Sequence, residues 1–160
     1  MIKYKPVGTR THIIIHSSFT KPTEDIGRYE LDRKHRLQCK FDVGYHSIIK
    51  RDGTVELGRS FERVGAHTPD HDKLSLGICM IGGKSEKGKA VNNFTVKQFE
   101  SLLIVVKEYS AACEMAIVVG HSIIDRSTTC PHFSVPAWLK KNELEHLTTA
   151  KKLEAFKNKT

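Results

Sequence analysis

Hydrophobic positions along this chain fall into two rhythms. The run HIIIH, residues 12 to 16, is a short block of branched aliphatics. Such residues pack well on a pleated surface, so the block predicts a buried strand that delivers His16 at its C-terminal end. From about Glu24 to Leu37 the chain is heavily charged, with Ile26, Tyr29 and Lys34 or Leu37 at rough helical spacing, which predicts a helix lying on the surface. The stretch VGYHSIIKRDGTVELGRS holds two apolar segments joined at Asp52-Gly53, a pair that accepts the positive φ of a tight turn and so predicts a hairpin. LSLGICMIGG, residues 74 to 83, is almost continuously apolar, as expected of a central strand covered on both faces. The polar segment from Lys84 to Asn93 reads as a surface loop.

Thr95 opens TVKQFESLLIVVKEYSAA, in which Gln98 completes a capping box and Val96, Phe99, Leu102, Leu103, Val106 and Tyr109 form an apolar face; this predicts a long amphipathic helix. MAIVVGH, residues 115 to 121, is another short buried strand, and it ends in His121 as HIIIH ends in His16. A last helix is predicted over Val135 to Leu147. Strands interleaved with helices, one strand pair being an antiparallel hairpin, indicate a single α/β domain with a mixed central β-sheet flanked by helices. The expected division is an N-terminal segment 1–10, a domain over 11–147 and a basic C-terminal tail 148–160.

Composition narrows the partners. A chain of 160 residues with 39% apolar residues supports one core rather than two. A formal charge of +8 favours polyanionic surfaces, but no recognised nucleic-acid motif is present, so none is expected as a ligand. No apolar run approaches the roughly 20 residues of a membrane span, and MIKYKPVGTR lacks the apolar core of a secretory signal. The expectation is a protein held in a cytoplasm with reduced thiols at Cys39, Cys79, Cys113 and Cys130. Cys79 and Cys113 sit in apolar patterns and read as small buried hydrophobes.

Candidate chemistry concentrates in GHSIIDRSTTCPHF, residues 120 to 133. Open α/β sheets place ligands at the C-terminal ends of strands, and two predicted strands end in histidine there. His16, His121 and Cys130 match the count of three protein ligands that leaves a fourth zinc position open. The spacing is neither HExxH nor a zinc knuckle. Two other readings stay open on the residues alone: strand-end histidines bonded to backbone beside a small core cysteine, and a nucleophilic Cys with a His base.

The segments IIIHSSFTKP, DVGYHSIIKRDGTVELGR, VGAH, SLGICMIGG, NFT and the final H…TxCP resemble, in unbroken order from about Thr11 to Leu144, the zinc N-acetylmuramoyl-L-alanine amidases of the type 2 family. That family shares its fold with peptidoglycan recognition proteins, and the small phage amidase-lysozymes are the most similar. The resemblance implies one Zn²⁺ per chain on His16, His121 and Cys130, with Tyr45 of the GYH motif as an active-site tyrosine. Water would attack the lactyl carbonyl of N-acetylmuramic acid at its amide to L-alanine. Thr128 stands where close phage relatives carry a lysine, so a hydroxyl is expected to take that role, with Arg126 as a fallback. The return loop is also one residue longer than in those relatives. His67 of VGAH matches a position near the zinc and is expected to line the substrate groove. His46 is expected to pack behind Tyr45 and His35 to be structural, whereas His71 and His132 carry no role. Lys34 and Lys40 replace tryptophans.

The function so implied is a monomeric phage endolysin, stored in the host cytoplasm until a holin opens the membrane, then acting on peptidoglycan in the periplasm. Two alternatives accompany it: a non-catalytic peptidoglycan-binding module, which the intact ligand set disfavours, and an amidase that also binds and inhibits a phage RNA polymerase.

Overall fold

The computed structural model describes residues 10–38 and 42–148; the N-terminal segment up to residue 9, Cys39, Lys40 and the basic tail past Thr148 lie outside the described residues. Five strands, β1 (His12–Ser17), β2 (Ser47–Ile49), β3 (Val55–Leu57), β4 (Ser75–Met80) and β5 (Ile117–Gly120), form one sheet in the order β3-β2-β4-β1-β5. Only the β2–β3 pair is antiparallel, its turn carrying Gly53 at φ 89; β2–β4, β4–β1 and β1–β5 are parallel. The mixed α/β architecture, the Asp52-Gly53 hairpin and the central place of the 74–83 strand are therefore as the pattern predicts.

Strand alternation divides β1 between two layers. Ile13 and Ile15 join Ile49, Ile78, Met80 and Val118 under the helices α2 (Val96–Ala112) and α4 (Val135–Lys141). Ile14 points the other way and packs with Ile117 and Val119, which leaves His16 on that second face. Each fully buried aliphatic of the first layer contributes about 1.5–3 kcal/mol over an exposed one, so the α2 side is the stable floor against which the other face is set.

Three elements differ from expectation. The surface helix α1 spans Arg28–Leu37, and Tyr29 and Leu37 are 74% and 80% exposed. Its inward residues are Leu31, packed with Val43, Ile48, Cys79 and Ile81, and His35, whose Nδ1 accepts the Gly44 N–H at 2.8 Å. A histidine paired to backbone can be buried where spacing alone selects the aromatic. In α2 the capping box forms as expected, with Thr95 and Gln98 bonding reciprocally at 3.0 and 3.1 Å. Val96 is nevertheless exposed while Gln98 is fully buried, because its Nε2 donates to the carbonyls of Ile49 and Ile81 at the C-terminal ends of the neighbouring strands β2 and β4. The last helix stops at Lys141, six residues short of the expected end, where Glu143 takes φ 59 and the chain resumes as a 3-10 turn over Glu145–Thr148.

Candidate metal centre

The parallel β1–β5 register pairs Ile15 with Gly120. One step further on, His16 and His121 meet with ring centroids 4.5 Å apart. His121 opens a single helical turn, α3 (His121–Ile124). From there the chain turns back, held by Asp125 Oδ1, which accepts both the Ser127 N–H at 2.9 Å and the Ser127 hydroxyl at 2.6 Å. The return closes where Ser122 N–H donates to Cys130 O at 2.8 Å. A Cβ on Gly120 would stand 2.9 Å from Pro131 Cδ, so glycine at the strand end lets Cys130 come in close. Ser17 N–H donates to Cys130 Sγ at 3.2 Å. The result is one donor atom from each of His16, His121 and Cys130, all within 4.8 Å of one another.

These donors suit a borderline-soft cation. Zinc bonds of about 2.0–2.3 Å bring tetrahedral N and S donors to within about 4 Å of one another, a small adjustment from the spacing seen. Burial holds His121 below the ordinary imidazole pKa, opposed by Asp125, so the ring is neutral and able to coordinate. Burial also pushes the Cys130 thiol up, with Ser17 N–H partly offsetting it; a divalent cation would ionise it. Among the described residues His16, His121 and Cys130 are the one cluster of this kind.

His67 belongs to the same cluster, from behind. Its Nδ1 lies 2.9 Å from His16 Nε2 and 3.0 Å from Thr68 Oγ1. Its side chain has no exposed area, although the ring borders the cavity. Burial, then the neighbouring His16, holds its pKa well below the ordinary value. The loop that carries it is tied down by Asp72 Oδ1, which accepts the N–H groups of His67 and Thr68 at 2.9 and 2.8 Å, and by Arg59 and Arg63, both paired with Asp42. Gly77 makes room for the ring, since a Cβ there would stand 2.6 Å from His67 Cδ2.

Tyr45 is half-buried, its ring 5.2 Å from His16 and 5.4 Å from His35. Burial and the nearby Cys79 and Cys130 sulfurs push its phenol well above the ordinary value, so it stays a protonated donor. His46 lies behind it, with Nδ1 accepting the Gly77 N–H at 3.0 Å and Nε2 bonding Arg63 O at 2.9 Å. Thr128 Oγ1 accepts the Cys130 N–H at 3.1 Å, which leaves its own O–H to donate. Arg126 and Lys34 are exposed.

A cavity of about 510 Å³ has walls that include His16, Tyr45, His67, His121, Thr128 and Cys130. Phe19 and His132 line it too. Sequence reading assigned neither a role; the one available signal for Phe19 is its place three residues past His16.

Residues 5–133 match the family described as N-acetylmuramoyl-L-alanine amidase. The chain is 40% identical over 143 residues to the endolysin of Enterobacteria phage T3, covering 89% of this chain and 94% of that protein. Among solved structures, the N-acetylmuramoyl-L-alanine amidase LysC from Clostridium intestinale URNW shares the fold with a TM-score of 0.73 at 22% identity, over 89% of this chain and 95% of that one. Bumblebee PGRP-SA does so with a TM-score of 0.69 at 24% identity, over 84% and 83%.

Proposed function

Since the chain belongs to the N-acetylmuramoyl-L-alanine amidase family, we propose that it is a phage endolysin hydrolysing the amide between N-acetylmuramic acid and L-alanine in bacterial peptidoglycan, with one zinc ion per chain. The observation that carries the reading is the His16, His121 and Cys130 donor set on the floor of an open cavity. The bound ion supplies Lewis acidity, polarising the lactyl carbonyl and acidifying a water.

The side chains do the rest. In this reading Cys130 and two neutral imidazoles hold the ion, and His67, engaging His16 Nε2, leaves Nδ1 as the ligating atom and locks the ring orientation. Tyr45 donates its O–H to the oxygen on which negative charge develops. Thr128, bonded back to the Cys130 N–H, aims a second, neutral donor at the same oxygen. Such donors act when charge appears rather than before, which lowers the barrier instead of tightening ground-state binding. Water gives its hydroxyl to the lactyl carbon and its proton to the departing alanine nitrogen.

On this reading the catalytic unit is residues 11–147, acting as a monomer, stored in the host cytoplasm and reaching the wall through a holin-opened membrane. Among the described residues no helix is long and apolar enough to cross a membrane. The +8 charge favours approach to anionic wall polymers. Incubation with purified sacculi should release peptides with free N-terminal alanine and no new reducing sugar ends, and a chelator should stop the release. New reducing ends, or release indifferent to chelator, would count against the proposal.

A further inference from the structure

One wall of the cavity is unused by the mechanism above. Phe19 is 43% exposed there, and its backbone sits at φ 52, a left-handed conformation costly for a bulky residue and persisting only where surroundings enforce it. Three backbone bonds enforce it: Ser18 N–H to Met80 O at 3.0 Å, Thr20 N–H to Gly82 O at 3.1 Å and Lys84 N–H to Thr20 O at 3.2 Å. The same bonds fix Lys84 relative to Phe19. Lys84 Nζ lies 5.2 Å from the centre of the Phe19 ring, within the range of a cation–π contact. His132, also left-handed at φ 70, sets its ring 5.5 Å from Phe19.

Lys84 forms no ion pair among the described residues. An ammonium seated on a ring has already lost part of its rotamer freedom, so less is lost when an anion arrives. The anion chemistry at hand is a carboxylate of the peptide stem. The second stem residue is a γ-linked glutamate whose α-carboxylate is free in some walls and amidated in others. In an extended peptide it stands about 7 Å from the scissile amide.

We propose that Lys84, held on Phe19 at the rim beside His132, binds this stem-peptide carboxylate and makes the site prefer walls in which it is free. The subsite rests on the amidase reading and deepens it. Its test is hydrolysis of two soluble muropeptides that differ only in that group, free acid or amide, by the parent protein, Lys84→Met and Phe19→Gly. Met keeps the length of the lysine stem, and Gly accepts the left-handed backbone, so both variants should fold. The parent should show a lower KM for the acid than for the amide. Lys84→Met should raise KM for the acid about fivefold, the upper range for an exposed ion pair, leave KM for the amide and both kcat values unchanged, and erase the preference. Phe19→Gly should weaken the preference in the same direction. An active parent whose KM for the acid survives Lys84→Met, or rises equally for both substrates, overturns the subsite alone. A parent inactive on both substrates overturns the amidase reading together with it.

Discussion

His16 and His121 stand side by side, rings 4.5 Å apart, because the parallel pairing of Ile15 with Gly120 brings both strands to histidine at the same level of the sheet. Two of the proposed ligands are thus placed by hydrogen-bonded backbone before any ion arrives. Chelation should therefore abolish hydrolysis while leaving the far-ultraviolet circular dichroism unchanged, and added zinc should restore activity without a refolding step. Loss of the sheet signal on chelation would mean that the ion holds the fold together, as it does in zinc fingers.

The third proposed ligand arrives on a loop, and Cys130→Ser isolates it. Elemental analysis should find one zinc per chain in the parent and little in the variant, with hydrolysis at background. A variant that retains stoichiometric zinc would remove Cys130 from the ligand set.

His67→Asn tests orientation from behind the site. Loss of a partner to a metal-bound histidine costs about 10–100-fold in metal affinity or activity, and the ring is wholly buried against His16. The expected result is weaker zinc binding in competition with a chelating dye and lower kcat, with KM for muropeptide unaltered. A rise in KM alone would move His67 to the substrate groove.

Thr128→Val removes a donor while keeping shape. Losing one such donor costs about 2.7–4 kcal/mol elsewhere, and a neutral hydroxyl belongs at the lower end, so kcat should fall about a hundredfold with zinc content intact. Thr128→Ser should retain most activity. Equal rates for Val and Thr would leave Thr128 with only its bond to the Cys130 N–H.

Burial lowers the imidazoles of His12 and His46 to about 4. Both groups are neutral when folded and protonate near 6.5 when unfolded, so the unfolded chain binds more protons between those values. Their contribution is fully present above pH 6.5 and declines as pH falls toward 4. Each adds a slope of up to about 1.4 kcal/mol per pH unit in that window. Urea titrations at pH 7, 6 and 5 should show the decline, and His46→Gln should make it shallower; a flat stability from pH 7 to 5 would contradict it.

Much of this was legible in the residues because short-range rules govern it. HIIIH and MAIVVGH are short branched-aliphatic blocks that favour a buried strand, Asp52-Gly53 favours a tight hairpin turn, and Thr95 with Gln98 forms a capping box. The errors fall where tertiary pairing overrides pattern. Helical spacing picked out Tyr29 and Leu37, which are exposed, while His35 is buried because Gly44 supplies its partner. Gln98 went inside to satisfy Ile49 and Ile81 carbonyls. The halt at Lys141 depends on a left-handed Glu143, for which glutamate has no special preference. At the site, the resemblance carried by motif order named His16, His121, Cys130 and Tyr45, and the fold gathers all four around one cavity. Phe19 and His132 were not legible, since nothing in a linear pattern says that two turns from distant segments meet at one rim.

Two histidines placed by strand register and a rim that comes from turns respond differently to changes in length. Deleting one residue within β1 would reverse its facing and send His16 toward Leu102 and Trp138, ending the chemistry in one step. Adding or losing residues in 84–93 reshapes the lip around it, whereas a change in 122–129 also moves Thr128 and the approach of Cys130. Length changes in 84–93 can therefore shift the proposed wall preference while the proposed donor set of His16, His121 and Cys130 is kept.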